Sequence, residues 1–370
     1  MERNSLTIRL KNNILTLLVF SSYIIMDRKN ILNILLQAQI FTSSSANNPI
    51  LQHIYLWKKV LATDMERYFS FDYDTWLDVC VSMKIIDILK LIEEDEVELL
   101  PEWNKMKVVA WKNKFTVDCM PTNNWIKAPE FEWEKAWIDW YDLISLISNV
   151  DTVVPDRYTP AVIATVNIQS NWWIVDWAWT DGISMLHTYI SKQWPDFNIN
   201  IPKSYTKSIK KIVPFMWESD VYIDSNKLKI VWWWYEIIVL LLNGWYPNYK
   251  DERLMPKEFN YSIIANKDDI IKSIQKITLY TKALHNYCKL TSVWWELKFS
   301  DNDWLVETYC KCSWNDYEIC FNSVYLLNFA QQTMWDIEIK IVNNSSVFIV
   351  EDKWRANVKC VIKPLHLQKN

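Results

Sequence analysis

Ile270-Ile271-Lys272-Ser273-Ile274-Gln275-Lys276-Ile277 is the stretch whose reading decides the fold. Its isoleucines fall at 270, 271, 274 and 277, a spacing that puts all of them on one face of a 3.6-residue helix. The same spacing returns in Ile31, Ile34, Leu35 and Ala38. Six such amphipathic patterns run along the chain, near 28–41, 83–92, 135–149, 204–213, 267–284 and 322–333. Alternating, strand-like runs separate them, at 105–110, 220–223 with 228–231, 296–299, and 337–342 with 347–350. The helix starts stand about 50–65 residues apart, which reads as six copies of one helix-plus-strands unit. Paired, the copies make three α+β domains with joints near 128 and 258, beside Pro129 and Pro256-Lys257.

The 370 residues hold 24 Trp and 2 Gly. Together these make up about 7% of the chain, the ordinary share of glycine alone. The tryptophans also stand where glycine usually does. Asn124-Trp125, Asp139-Trp140, Asn171-Trp172, Asp176-Trp177, Asp303-Trp304, Ser313-Trp314 and Glu102-Trp103 pair Trp with residues that precede glycine in tight turns. We read most of these positions as glycine codons, UGA, translated here as tryptophan. The rival reading is a tryptophan-rich protein that binds carbohydrate or another surface through aromatic platforms.

Net charge is −4, so any contact with nucleic acid requires basic residues gathered on one surface. The seven scattered Cys give no second pair at zinc-site spacing beside Cys310 and Cys312, and read as free thiols in a reducing cytoplasm. The apolar run at 15–25 is too short to span a bilayer. It reads as an extension ahead of a start at Met26, and no other segment has a membrane-spanning pattern. There is no phosphate-binding loop, and the four His show no metal-ligand spacing. With no cofactor or catalytic constellation, the sequence favours a binding or structural protein over an enzyme; the remaining rival is an enzyme whose site is assembled from distant residues. Lysines do cluster on the helical segments: Lys84 and Lys90, then Lys203, Lys207, Lys210 and Lys211, then Lys272 and Lys276. Arg28 and Lys29 open the first one. Such faces can hold phosphates without reading base sequence.

Several strings together resemble one family. Thr180-Asp181-Gly182-Ile183-Ser184-Met185 is similar to the ATDG segment in the middle domain of bacterial beta sliding clamps. Asn243-Gly244-Trp245-Tyr246-Pro247-Asn248-Tyr249-Lys250, continued by Met255-Pro256-Lys257, resembles the family's DGRFPDYR-like joining string. Phe321-Asn322-Ser323-Val324-Tyr325-Leu326-Leu327 resembles its FNVSYVLDVL-like helix. Val361-Ile362-Lys363-Pro364-Leu365-His366-Leu367 resembles its closing VMPMRL-like peptide. Asn48-Pro49-Ile50-Leu51 and Thr63-Asp64-Met65-Glu66 resemble the LPIL and TDLEME-like segments of the first domain. Trp57, Trp103, Trp111, Trp194 and Trp314 fall where the family tends to place glycine.

The resemblance implies clamp domains at 26–127, 128–257 and 258–370, with helices inside, antiparallel sheets outside, and two chains joined head to tail in a ring around duplex DNA. It implies a pocket where the replicative polymerase and the clamp loader dock short peptides. Carried over by position, the pocket takes Ile163, Thr180, Gly182, Ile183, Ser184, Met185, Pro247, Arg253, Leu254, Asn322, Tyr325, Ser345, Val347, Val361, Ile362, Lys363, Pro364, Leu365, His366 and Leu367. The lysines named above are then the DNA-facing residues. The chain departs from the pattern in places. Lys363 stands where a larger apolar residue is common, His366 and Ile183-Ser184 where a basic one is, Asp251-Glu252 is an insertion, and 43–48 lacks an arginine. These departures point to a different preferred peptide.

Overall fold

The structure, a computed structural model, describes residues 8–10, 13–15, 24–43, 47–131, 135–136, 139–150, 161–212, 219–224, 226–281, 287–301, 307–313 and 317–365. The chain divides into two compact units, residues 1–130 with 231–238, and residues 131–230 with 239–370.

In the first unit, β1 (Ile24–Asp27) leads into α1 (Arg28–Gln39). Strands β2 (His53–Leu56), β3 (Lys59–Thr63), β4 (Arg67–Asp72) and β5 (Val79–Ser82) precede α2 (Lys84–Leu91), and β6 (Glu96–Glu102), β7 (Lys105–Ala110) and β8 (Asn113–Met120) follow it. The strands lie in the order β4-β3-β2-β5-β8-β7-β6-β1, antiparallel throughout. Asp27 caps α1, its side chain accepting from the Asn30 amide at 2.7 Å. Ile31, Leu35 and Ala38 then lie fully buried where α1 packs on β2 and β3, each large side chain contributing about 1.5–3 kcal/mol. The basic pair opening α1 serves the loop after α2. Arg28 donates to the Glu94 and Leu89 carbonyls at 2.7 and 3.3 Å, and Lys29 pairs with Asp95 at 2.9 Å.

The second unit repeats the scheme. It holds α3 (Trp140–Val150), β9 (Thr165–Ser170), β10 (Val175–Thr180), β11 (Ser184–Ile190), β12 (Phe197–Pro202), α4 (Lys203–Ile212), β13 (Asp220–Asp224) and β14 (Lys227–Trp232), whose last two residues count with the first unit. After β15 (Tyr235–Leu240), whose first four residues also count with the first unit, come β16 (Tyr261–Ala265), α5 (Lys267–Thr281), β17 (Tyr287–Val293), β18 (Glu296–Ser300), β19 (Glu307–Lys311), β20 (Tyr317–Asn322) and α6 (Ser323–Gln332). The chain closes with β21 (Ile337–Ile341), β22 (Phe348–Asp352) and β23 (Arg355–Ile362). An eight-stranded sheet runs β12-β9-β10-β11-β23-β22-β21-β16, and a four-stranded one runs β19-β18-β17-β20. The last strand of the chain is therefore interior to the larger sheet, with β11 on one side and β22 on the other. Asn322 caps α6 by accepting from the Val324 amide at 3.0 Å, and α6 packs on β23.

The helices pair in chain order, α1 on α2, α3 on α4 and α5 on α6. All six expected helices form, as do the expected strands. One boundary moves. The pattern at 135–149 begins as a helix only at Trp140, because Asp139 caps there, accepting from the Tyr141 and Asp142 amides at 2.9 and 3.3 Å; residues 135–136 pair instead with β13.

Of the nine non-glycine residues with positive φ among the described residues, seven are tryptophan: Trp76, Trp103, Trp111, Trp172, Trp233, Trp294 and Trp295. They stand in turns and loops, Trp294 and Trp295 side by side in one of them, and each is more than half exposed. Other tryptophans expected at such turns do not adopt this backbone. Trp125 has φ −64°. Trp140 opens α3 and Trp177 lies inside β10, both buried; the Asp before each has another task, Asp139 capping the helix and Asp176 bonding to His187. Trp57 is not among the positive-φ residues, and Trp194 is buried beside Phe197. Trp304 and Trp314 lie outside the described residues.

Candidate functional site

The larger sheet of the second unit brings the tail against the middle of the sequence. Met185 of β11 lies opposite Val361 of β23, which in turn faces Ile349 of β22. Around this row a buried apolar cluster forms from Val162, Ile163, Ala178, Met185, Tyr246, Tyr249, Ile349 and Val361, with Leu242, Met255, Phe259 and Val347 packed against it. Val162 and Ile163 come from a short 3-10 turn ahead of β9. Tyr246 and Tyr249 come from the string after β15, where Pro247 stays exposed while the flanking rings turn inward, 6.3 Å apart and edge to face.

The β10–β11 turn forms the rim. Gly182 has φ 83°, a left-handed backbone that glycine alone adopts freely. Thr180 Oγ1 accepts from the Gly182 amide at 3.0 Å and donates to the Ser184 carbonyl at 2.7 Å. Asp181 Oδ1 accepts from the Ile183 and Ser184 amides at 2.8 and 2.7 Å. Two tyrosines grip this turn from outside it. The Thr180 amide donates to the Tyr246 hydroxyl at 3.0 Å, and the Tyr325 hydroxyl at the start of α6 donates a short hydrogen bond to Asp181 Oδ2. Burial first, then the Asp181 bond and charge, hold the Tyr325 hydroxyl far above its ordinary pKa, so it stays a donor. Burial does the same for Tyr246. The tail is tied to the rim through its backbone: the Lys363 amide donates to the Ile183 carbonyl at 3.0 Å and the Leu365 amide to the Cys320 carbonyl at 2.8 Å.

Behind the cluster lies a buried carboxyl group, that of Asp176. His187 Nε2 meets Asp176 Oδ1 at 3.0 Å, and Lys250 Nζ meets Asp176 Oδ2 at 2.7 Å. Burial raises the Asp176 pKa, but the bonds from His187 and Lys250 outweigh it and hold the carboxyl below its usual range. The Tyr249 hydroxyl and His187 Nδ1 are buried without a hydrogen-bond partner among the described residues.

The expected pocket residues divide accordingly. Ile163, Met185 and Val361 are in the buried cluster with Val347 at its edge. Thr180, Gly182, Ile183, Ser184, Tyr325 and Lys363 meet at the rim. Ile183 is 47% exposed, so its side chain is open apolar surface. Pro364 is buried, Leu365 half-buried, and Ile362 pairs with Ser184 and Phe348 inside the sheet. Others act locally: Asn322 caps α6, and Ser345 donates to Asn343 in an exposed turn. Arg253 is held by Asp251 at 2.7 Å, with Leu254 beside it 38% exposed. His366 and Leu367 lie outside the described residues. Asp181, Tyr246 and Tyr249 were missed, although all three sit inside the quoted strings. The tyrosines' spacing around Pro247 was the available signal.

The expected DNA-facing lysines stand opposite the buried faces of their helices. On α4, Tyr205, Thr206, Ile209 and Ile212 are buried while Lys207 and Lys211 are exposed and Lys203 and Lys210 half-buried. Lys84 and Lys90 of α2, and Lys272 and Lys276 of α5, are exposed likewise. Among the described residues no group of His, Cys, Asp and Glu is arranged to hold a metal ion, and no helix is long and apolar enough to cross a membrane.

No protein-family model and no curated protein sequence matches this chain. Solved structures do match, over nearly its full length. The DNA polymerase III beta chain of Streptococcus pneumoniae is 14% identical, with TM-score 0.85, covering 93% of this chain and 100% of that one. The beta subunit of Thermotoga maritima is 13% identical, with TM-score 0.83, covering 94% and 100%. A sliding clamp of Pseudomonas aeruginosa bound to griselimycin is 16% identical, with TM-score 0.85, covering 93% and 99%. At this level of identity the likeness establishes the fold: this chain has the fold of those clamps.

Proposed function

We propose that this chain is a DNA polymerase processivity factor, a sliding clamp that encircles duplex DNA and tethers a replicative polymerase. The observation that carries the reading is the end-to-end match to clamp structures, with the tail strand β23 built into the sheet beside the rim turn. Two chains join head to tail in a ring of three-domain protomers, with domains at 26–127, 128–257 and 258–370. The ring holds DNA by topology and needs no sequence-specific contact. The lysines of α2, α4 and α5 give it weak, solvated phosphate contacts along which it slides. No reaction is catalysed. A separate ATP-driven loader opens the ring, and the protein works in the cytoplasm.

Partners dock a short apolar peptide over the cluster behind the β10–β11 rim. Ile183, Leu365 and Val347 offer the apolar contacts, and the rim backbone orients the peptide. Tethering raises the local concentration of polymerase at the primer end. A retention assay tests the ring: loaded protein stays on closed circular DNA and runs off the same DNA once it is linearised. Equal loss from both templates would sink the reading.

We also infer that the left-handed tryptophans are glycine in the cell's own protein. Support comes from the concentration of positive φ on Trp in exposed turns and loops. Reading the coding DNA decides it, since UGG at those positions overturns the inference.

A further inference from the structure

Two turns in this chain are built alike. In the first unit, residues 63–67 join β3 to β4; in the second, residues 180–184 join β10 to β11. Both begin Thr-Asp. Thr63 Oγ1 accepts from the Met65 amide at 2.9 Å, as Thr180 Oγ1 does from Gly182 at 3.0 Å. Asp64 Oδ1 accepts from the Glu66 and Arg67 amides at 3.1 and 2.7 Å, as Asp181 Oδ1 does from Ile183 and Ser184. The Asp64 amide donates to the Arg67 carbonyl and the Asp181 amide to the Ser184 carbonyl, both at 3.3 Å. Each turn thus uses one carboxylate oxygen to shape its own backbone.

The second oxygen separates them. Asp64 Oδ2 is taken by Arg67, two positions beyond Met65, through Nε at 2.8 Å and a terminal nitrogen at 2.5 Å. That turn is closed on itself. Asp181 Oδ2 instead takes the Tyr325 hydroxyl, 144 residues onward at the start of α6. The same carboxylate therefore shapes the turn that carries Ile183, and ties it to the helix that packs on β23.

We propose that Asp181 is the positioning residue of the docking site: by accepting from Tyr325 it latches the rim turn to α6 and keeps the surface beside the tail in its receptive shape. The proposal rests on the peptide-docking reading above and deepens it. Asp181 itself need not touch the peptide. It acts through the Ile183 carbonyl, which holds the Lys363 amide, and through the placement of the Ile183 side chain.

The two partners can be separated from the turn's internal bonds. Tyr325→Phe removes only the hydroxyl. Asp181→Asn keeps Oδ1 as an acceptor for the turn amides and weakens the bond to Tyr325. Asp64→Asn is the matching change in the self-closed turn. The probe is a fluorescein-labelled synthetic peptide carrying two leucines and a phenylalanine, read by fluorescence anisotropy against the full chain. Tyr325→Phe and Asp181→Asn each weaken binding about 5- to 10-fold, and the double variant is no worse than either alone, as expected for one shared interaction. Asp64→Asn leaves the affinity unchanged. Hydrogen exchange of the 180–186 segment in the absence of peptide speeds up in both single variants, independently of any ligand. Unchanged exchange in Tyr325→Phe overturns the latch, as do additive losses of affinity in the double variant. If the unaltered chain fails to bind the peptide, the docking reading falls, and the exchange rates alone uphold or overturn the latch.

Discussion

Met65 and Gly182 occupy the same position in two copies of one turn, with φ of 77° and 83°. Glycine takes this left-handed backbone freely because it has no Cβ to crowd the neighbouring carbonyl, a clash that costs other residues about 1–2 kcal/mol. The first copy therefore carries strain that the second avoids. Met65→Gly is expected to stabilise the chain by about 1 kcal/mol and Gly182→Ala to destabilise it by a similar amount. Urea unfolding midpoints measure both. A loss of stability in Met65→Gly would mean that the Met65 side chain, half exposed, contributes more by contact than its backbone costs.

The sequence carried the fold well because its helices write their buried faces at a 3.6-residue period. Ile270, Ile274 and Ile277 are all fully buried, as their spacing requires. Strands such as Lys105–Ala110 alternate buried and half-buried residues and were legible for the same reason. The rim was only partly legible. Thr180, Gly182 and Ile183 stood out as a string, but the role of Asp181 depends on Tyr325, which no local pattern connects to it. Tyr249 and Asp176 were hidden for a similar reason, since packing between remote segments buries them. Tryptophan after Asp or Asn was an ambiguous sign, because those residues also cap helices, as Asp139 does.

Trp111 tests the glycine reading within the chain as printed. It has φ 48° and is 81% exposed on the turn between β7 and β8. Its indole gains little burial there to offset the backbone cost. Trp111→Gly is expected to raise stability by about 1 kcal/mol, visible as a higher urea midpoint with unchanged slope. The same change at Trp177, fully buried in β10, acts in the opposite direction and costs about 3–5 kcal/mol in the chain as printed. Equal effects at the two positions would count against backbone strain as the distinguishing feature.

Asp176 sets an acid limit on stability. Its folded pKa is depressed because the bonds from His187 and Lys250 outweigh the effect of burial. A depressed carboxyl stabilises the fold at pH values above its unfolded pKa, about 3.9, and that contribution disappears as pH falls through the folded value. Asp176→Asn should therefore be less stable than the unaltered chain at pH 7, by about 1–3 kcal/mol, with the gap closing below about pH 4. Denaturant midpoints taken from pH 7 down to pH 3 follow the difference. A gap that stays constant through that range would show that the Asp176 charge contributes nothing to the stability difference.

Lys207 and Lys211 give the most direct test of the proposed hold on DNA. Both are exposed on α4, with Ile209 and Ile212 buried on the opposite side, so alanine at either position leaves the core untouched. Each phosphate contact removed lowers the salt dependence of binding, by about 0.9 in the slope of log K against log salt concentration for duplex DNA. The double change Lys207→Ala with Lys211→Ala should reduce that slope by about 1–2. It should shorten residence on linear DNA while leaving retention on closed circles nearly intact, because in the proposed ring topology and not affinity holds the protein there. Dwell times on both templates across a salt series give both quantities. If retention on circles collapses with the lysines, charge contacts rather than encirclement hold the protein on DNA.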